Sequence, residues 1–242
     1  MSTATFAWFS MNRTVTATGM EIKATADNPY LLISEASDGT FDTSADTMVL
    51  NPAAQTALKL VTPLNVASNV AYYADASAKE ATTTTTPTKF TNAASVLWGT
   101  AQSDDPAQVQ ASNVTLLVGS DSLGQYVQKS ELFFKVAASD ETGYGANLKC
   151  TKVTFTAGSN SIAASGRILI VSETGKYQLF KLVNGDVTAA ETGSDSVLIT
   201  QITNNAQKLT IFFYFDGTDS VAYTNNATNL SGVSANFTFQ ID

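Results

Sequence analysis

The stretch Val233-Ser-Ala-Asn-Phe-Thr-Phe-Gln-Ile241, near the carboxyl end of the chain, decides the fold class. Its apolar residues stand at every second position, and Ser, Asn, Thr and Gln fill the positions between them. Because successive side chains of a strand point to opposite faces, this alternation predicts a strand with one buried face and one wet face.

The same reasoning extends upstream. The stretch Leu209-Thr-Ile-Phe-Phe-Tyr-Phe215 is apolar on both faces, which predicts a central strand of a sheet. The pair Asn184-Gly185 stands between two apolar runs and is the strongest signal for a tight hairpin. Period-two alternation predicts further strands at 13–25, 31–34, 114–119, 131–137, 149–157, 167–171, 177–183 and 197–203.

Composition agrees with a large β domain. The 242 residues are 44% hydrophobic and only 14% charged, and Ala, Thr, Ser and Asn take the place of charge, as in a cell-exterior protein. We therefore predict an all-β protein, a jelly-roll-like antiparallel β-sandwich with long loops and short helices. A single domain is expected over residues 13–242, with irregular excursions at about 51–112. Short helices are expected near 52–60 and 92–98.

Charge and residue usage argue against several function classes. The net charge is −8, and no run of Lys or Arg exists to follow phosphates, so neither nucleic acid nor an anionic membrane surface is an expected partner. The chain has no histidine and one cysteine, which excludes His-based triads, His-ligated metals and intramolecular disulfides. No pair of carboxylates suggests acid–base catalysis. We therefore expect that the protein is not an enzyme and binds neither a cofactor nor a metal ion.

Three features could serve in binding or catalysis, and each also has a simpler structural interpretation. Cys150 is expected as a small buried strand residue, with an intermolecular bridge as the alternative. Asp216-Gly-Thr-Asp219 clusters carboxylates as calcium prefers, but the spacing does not match a calcium loop and favours a plain turn. Lys135 stands among apolar residues, where it is either reactive or on the wet side of its strand.

The amino-terminal stretch Met1-Ser-Thr-Ala-Thr-Phe-Ala-Trp-Phe-Ser10 has no charge, glycine or proline. Such an apolar end must be buried, although most termini are polar and frayed. It is too short to span a bilayer and lacks the basic start of a signal peptide. Two options remain, which are burial in its own domain and insertion into another chain. In a strand, Ala4, Phe6 and Trp8 share one face, whereas Thr3, Thr5, Ala7 and Phe9 share the other.

The two ends of the chain together resemble TasA/camelysin-like secreted biofilm-matrix proteins of Gram-positive bacteria. The resemblance lies in residues 5–10 and 12–20 at one end, and in residues 214–225 and 233–239 at the other. It implies a jelly-roll domain, secretion through a dedicated signal peptidase, and Met1 at or close to the cleavage point. It also implies extracellular fibres in which the amino-terminal segment of one subunit completes the sheet of the next.

On this interpretation residues 1–12 form a donor strand and linker. The expected partners are further copies of the chain in a head-to-tail homopolymer, with a cell-surface anchor or minor subunit as another candidate. We expect the protein to be secreted to the cell surface, with no membrane contact in its mature form. The predicted subunit interface is Ala4, Thr5, Phe6, Ala7, Trp8 and Phe9.

Two alternative functions remain open from the sequence. One is a monomeric carbohydrate-binding or adhesive jelly roll, in which Trp98, Tyr72 and Tyr73 are the residues to test for stacking on sugars. The other is a viral capsid or tail jelly-roll protein, which would assemble into closed shells or rings. For Trp98, which follows two apolar residues, a place in the core is the simpler interpretation.

Overall fold

The fold is all-β and is seen in a computed structural model. The structure describes residues 24–25, 31–42, 44–45, 61–63, 71–74, 81–84, 91–101, 114–116, 123–124, 126–137, 145–156, 166–182, 187–188, 190–191, 193–216 and 234–242. A short 3₁₀ helix, η1, covers Ala93–Ser95. The strands within these ranges are β1 (Ala24–Thr25), β2 (Leu31–Ser34), β3 (Ser44–Ala45), β4 (Thr62–Pro63), β5 (Ala71–Ala74), β6 (Ala81–Thr84), β7 (Trp98–Ala101), β8 (Val114–Leu116), β9 (Val127–Val136), β10 (Leu148–Thr156), β11 (Gly166–Ser172), β12 (Tyr177–Lys181), β13 (Val187–Thr188), β14 (Gln207–Phe215) and β15 (Ser234–Ile241).

Two antiparallel sheets build a β-sandwich. The larger sheet has the strand order β12-β11-β14-β9-β2, and the smaller has the order β13-β10-β15. Strand β14 is the middle strand of the larger sheet and pairs with β11 and β9, which confirms the central strand expected from its two apolar faces. Three small sheets, β1-β3, β4-β7-β8 and β5-β6, complete the described strands.

The main hydrophobic core lies between the two sheets. Phe134 on β9 and Phe213 on β14 point into it from the larger sheet, and Phe155 and Phe239 point into it from β10 and β15. The rings of Phe134 and Phe239 are 4.8 Å apart, and those of Phe155 and Phe213 are 6.4 Å apart. Burial of each such side chain is worth about 1.5–3 kcal/mol, so this core holds the sheets together.

A second hydrophobic cluster covers the opposite face of the larger sheet. Trp98 packs edge-on against the rings of Phe212 and Tyr214, at centroid distances of 5.4 and 5.0 Å. The side chain of Asn92 caps η1 by accepting hydrogen bonds from two backbone N–H groups, and the Ser95 hydroxyl accepts one from the N–H of Asn92. This cap fixes the chain just before Trp98. The second cluster on one side and the main core on the other explain why β14 is apolar on both faces.

Most predicted strands form, with shifted ends, but the strand expected at 197–203 is wrong. That segment makes a single bridge, between Ile199 and Leu148. Gln201 has a φ of 56°, in the left-handed region, which breaks an extended backbone. The segment therefore crosses the end of β10 instead of joining a sheet along its length.

The hairpin predicted at Asn184-Gly185 is also wrong. The strand after it, β13, pairs with β10 in the smaller sheet, whereas the strand before it, β12, belongs to the larger sheet. The chain therefore passes from one sheet to the other at this point. At 92–98 only η1 is helical, and Trp98 begins β7. The expected helix at 52–60 and most of the strand at 13–25 lie outside the described residues.

Candidate functional site

The predicted interface residues Ala4, Thr5, Phe6, Ala7, Trp8 and Phe9 lie outside the described residues. The described part of the chain instead shows the surfaces that an added strand would meet. These are the outer edges of the sheets, where backbone N–H and C=O groups lack a neighbouring strand. The sandwich has four of them, along β12 and β2 of the larger sheet and along β10, beyond the short β13, and β15 of the smaller one.

The edge of β12 is closed by Glu191, Ser194 and Asp195. The N–H of Tyr177 donates to the Asp195 carboxylate at 2.9 Å, and the N–H of Leu179 donates to the Ser194 hydroxyl at 3.0 Å. The N–H groups of Glu191 and Asp195 donate in turn to the carbonyls of Leu179 and Tyr177. Four backbone groups of this edge are therefore satisfied by one short piece of chain.

The edge of β2 is closed at its centre by the turn that follows it. Ile33 and Asp42 exchange two backbone hydrogen bonds, of 2.8 and 3.1 Å. The Ser34 hydroxyl accepts a bond from the N–H of Ala36 within the same turn. Lys135, on the neighbouring strand, places its ammonium 4.0 Å from the ring centroid of Phe41, so it sits at the sheet rim on an aromatic face.

The outer edge of β10 is closed by three separate groups. The N–H of Leu148 donates to the carbonyl of Ile199 at 2.8 Å, and the short strand β13 pairs with Val153 and Thr154. Between them, the N–H of Cys150 donates to the side-chain oxygen of the buried Gln178 at 2.9 Å. A glutamine side chain from the larger sheet therefore takes the place of a strand. No local pattern predicts this contact, because it joins residues of opposite sheets.

Cys150 is buried in β10, as the sequence predicted. Burial in the core raises the pKa of its thiol well above the ordinary value. Its sulfur lies within 3.5 Å of the carbonyl of Lys152. A thiol this buried does not serve an intermolecular bridge in the folded protein.

The outer edge of β15 differs from the other three. Asn147 and Asp242 exchange two backbone hydrogen bonds, of 2.9 and 3.2 Å, so they form a hydrogen-bonded pair of the β10–β15 ladder. Antiparallel pairs alternate, so the next N–H and C=O groups along β15, those of Ile241 and Phe239, point away from β10. Cys150, opposite Phe239, turns its own N–H away from β15, as this alternation requires. Among the described strands, β15 pairs with β10 alone.

The first carboxylate of the predicted turn at 216–219 is held by an ion pair. The guanidinium Nε of the buried Arg167 lies 3.7 Å from the Asp216 carboxylate, at the end of the pairing between β11 and β14. Burial, together with the nearby charge of Asp216, raises the pKa of Tyr214. Gly217, Thr218 and Asp219 lie outside the described residues, and no three His, Cys, Asp or Glu side chains of the described part come together as metal ligands.

Of the three residues considered for sugar binding, the structure describes the side chain of Trp98. Trp98 is only 4% exposed, because it fills the second hydrophobic cluster, as its simpler interpretation predicted. A buried indole has no face left for a sugar. Tyr72 and Tyr73 lie in β5, which pairs with β6 in a separate two-stranded sheet.

Comparisons of the chain with protein-family models, with curated proteins and with solved structures found no match. The resemblance of the two chain ends to TasA/camelysin-like proteins therefore stays a prediction. None of the helices in the described part of the chain is long and apolar enough to cross a lipid bilayer.

Proposed function

We propose that this protein is the structural subunit of an extracellular biofilm-matrix fibre and polymerises head to tail by insertion of its amino-terminal strand into the next subunit. The observation that carries the proposal is the uncharged apolar stretch of residues 1–10, with Phe6, Trp8 and Phe9. The all-β fold supports it, because an antiparallel sandwich accepts an extra strand at a sheet edge. A cell-surface anchor or a minor subunit is a further partner under this proposal.

Two kinds of contact would stabilise such an insertion. A large apolar side chain gains about 1.5–3 kcal/mol on burial, so Phe6 and Trp8, which share one face of the segment, offset part of the cost of association and ordering. Backbone hydrogen bonds to the accepting edge add affinity, and the alternating side chains set the register. Because donor and acceptor are different surfaces, the contact is heterologous and yields an open filament when its rotation does not close.

The test is negative-stain electron microscopy of the full-length protein and of the double variant Phe6→Asp/Trp8→Asp. The variant is expected to lose filaments, because two carboxylates cannot be buried in an apolar site. The matched control is Thr3→Asp/Thr5→Asp, which adds the same charge to the opposite face of the segment and is expected to keep filaments.

Circular dichroism of the variants checks that the sandwich itself is unchanged. Filaments that persist in Phe6→Asp/Trp8→Asp would contradict the proposal. Closed shells, rings or single particles from the unmodified protein would contradict it as well, and would favour the capsid or the monomeric adhesive alternative.

A further inference from the structure

The four sheet edges differ in what the chain itself supplies to them. The edge of β12 is bound by Asp195 and Ser194, that of β2 by Asp42, and that of β10 by Gln178, Ile199 and β13. Along the edge of β15, Phe239 and Ile241 direct their backbone groups away from β10, and no described strand pairs there. We infer that the outer edge of β15 is the acceptor for residues 3–9 of a neighbouring copy, an inference that rests on the proposed function.

The apolar residues of β15 and those of the donor segment recur at the same spacing. Strand β15 has eight residues, and the outward backbone groups belong to residues at every second position, namely Phe237, Phe239 and Ile241. The side chains of these three residues all point into the core. An added strand places its own core-facing residues directly opposite them, and Ala4, Phe6 and Trp8 have the same spacing of two.

The position beyond β15 is also the one where the smaller sheet ends before the larger. Phe239 of β15 lies against Phe134 of β9, with 4.8 Å between ring centroids, and β2 is the next strand of the larger sheet beyond β9. Because packed sheets keep their strands roughly aligned, a strand added beside β15 lies over β2, along the part of the edge that the two-residue β1 leaves uncovered. Leu31 and Ile33 of β2 belong to the core between the sheets, so an apolar donor face meets apolar side chains there.

The sequence of β15 also lacks the residues that usually protect an edge against an added strand. Natural edges carry Lys, Pro or inward-pointing charge to prevent pairing with other chains. Residues 234–241 contain no charged residue and no proline, and neither do the donor residues 3–9. The β12 edge, in contrast, ends in the exposed Lys181. Two uncharged segments of matching alternation meet no electrostatic barrier.

The rival occupant is the segment that precedes β1 in the same subunit. Strand β1 lies alongside β15 but takes its hydrogen bonds from β3. Residues 13–23 lead into β1 and would close the edge within one chain if they paired with β15. The experiment below therefore separates pairing between subunits from pairing within one.

The experiment is cysteine cross-linking in full-length protein. Gln240 stands between Phe239 and Ile241 on the face of β15 that points away from the core, and Thr5 stands between Ala4 and Phe6 on the corresponding face of the donor. The variant Thr5→Cys/Gln240→Cys, with Thr3→Cys and Ala7→Cys in place of Thr5→Cys to cover neighbouring registers, is oxidised with copper–phenanthroline as filaments. Non-reducing gels are expected to show a ladder of disulfide-linked multimers, which the reductant collapses to one band.

Two matched variants complete the design. Thr5→Cys/Lys181→Cys places the second thiol on the closed β12 edge and is expected to stay monomeric on the gel. Thr16→Cys/Gln240→Cys tests the rival segment and is expected to give no intramolecular link. Hydrogen exchange of unmodified filaments is expected to slow about tenfold or more across residues 234–242, relative to monomer, with no change across Tyr177–Lys181.

The outcomes separate the two proposals. A ladder from the Lys181→Cys variant, or new protection at β12 instead of β15, overturns the choice of edge while filament formation stands. An intramolecular Thr16→Cys/Gln240→Cys link without any ladder from Gln240→Cys overturns it in favour of closure within the subunit. If the unmodified protein forms no filaments, the proposed function itself has failed and the acceptor edge fails with it.

Discussion

The edges of β12 and β15 differ in how their outward backbone N–H and C=O groups are satisfied. At β12 the carboxylate of Asp195 and the hydroxyl of Ser194 bind the outward N–H groups of Tyr177 and Leu179. At β15 the outward groups of Phe239 pair with no described strand. A loop closes an edge with polar atoms but adds little to the core, whereas a strand closes it and adds apolar side chains as well.

The comparison teaches that edge closure and core completion are separate tasks. The β12 side of the sandwich has its edge satisfied by side chains, and the larger sheet is covered on its outer face by the Trp98 cluster. The β15 side has a core-facing row of apolar residues directly at its edge. That side gains the most from an additional strand, which is why we propose the acceptor there.

The largest expected effect comes from breaking the core beneath the β15 edge. Phe239→Ala removes a fully buried ring that contacts Phe134 and stacks on Phe237 at 6.2 Å. The free energy of unfolding is expected to fall by about 3–5 kcal/mol, because a cavity is left where the ring was. Denaturant unfolding measures the change.

The neighbouring substitution Gln240→Ala is the control for that prediction. Gln240 lies on the other face of the same strand and is only partly buried. Its replacement is expected to change the free energy of unfolding by less than about 0.5 kcal/mol. Equal losses in the two variants would show that the strand is held by its backbone pairing and not by the core.

A smaller effect is expected from opening the closed edge. Asp195→Ala removes the acceptor for the N–H of Tyr177 and is expected to cost about 1–3 kcal/mol of unfolding free energy. Hydrogen exchange at Tyr177 is expected to accelerate. Asp195→Asn keeps a side-chain oxygen and should retain most of the stability; if it loses as much as Asp195→Ala, the negative charge and not the hydrogen bond supports this edge.

The smallest effect is expected on the surface of the larger sheet, away from both edges. Partial burial raises the pKa of the Glu131 carboxyl, but the ammonium groups of Lys129 at 3.0 Å and Lys208 at 3.4 Å outweigh it and hold that pKa below its ordinary value. The contribution to stability is therefore present above the unfolded-state pKa and is lost as the pH falls through the folded-state pKa.

Glu131→Gln tests this point. The substitution is expected to reduce the loss of stability on acidification by a few tenths of a kcal/mol and at most about 1 kcal/mol, because the three side chains of these two ion pairs are partly exposed to solvent. Denaturant unfolding at neutral and acidic pH, in parallel for both proteins, measures the difference. A variant that matches the parent at every pH would show that these charges contribute nothing to folding.

The positions of the main strands could be predicted from the sequence because local alternation specifies them. The apolar faces of β14 and β15, the buried Cys150 and the burial of Trp98 all follow from patterns a few residues long. The hairpin at Asn184-Gly185 and the strand at 197–203 could not be excluded in this way. A turn signal does not show which sheet the next strand joins. The left-handed backbone conformation at Gln201 could not be predicted, because the residue is not a glycine.

The candidate site divides along the same line. The apolar amino-terminal segment can be recognised from the sequence, since charge and alternation are local properties. The edge proposed to accept it cannot be recognised in the sequence, because β2, β10, β12 and β15 all read as strands and only the fold shows what lies beside each one. Asp195, Ser194 and Gln178 close two of these edges. Each of these contacts joins residues that are not neighbours in the chain, so no local pattern predicts it.

The sequence by itself therefore determined that this is an all-β protein, where its main strands run and which faces of them are apolar, because side-chain periodicity is fixed by the backbone geometry of each strand. The tertiary structure alone decided the order of the strands, the second hydrophobic cluster and the status of each edge. Those properties depend on which distant segments meet, and that choice is made by the packing of the whole core.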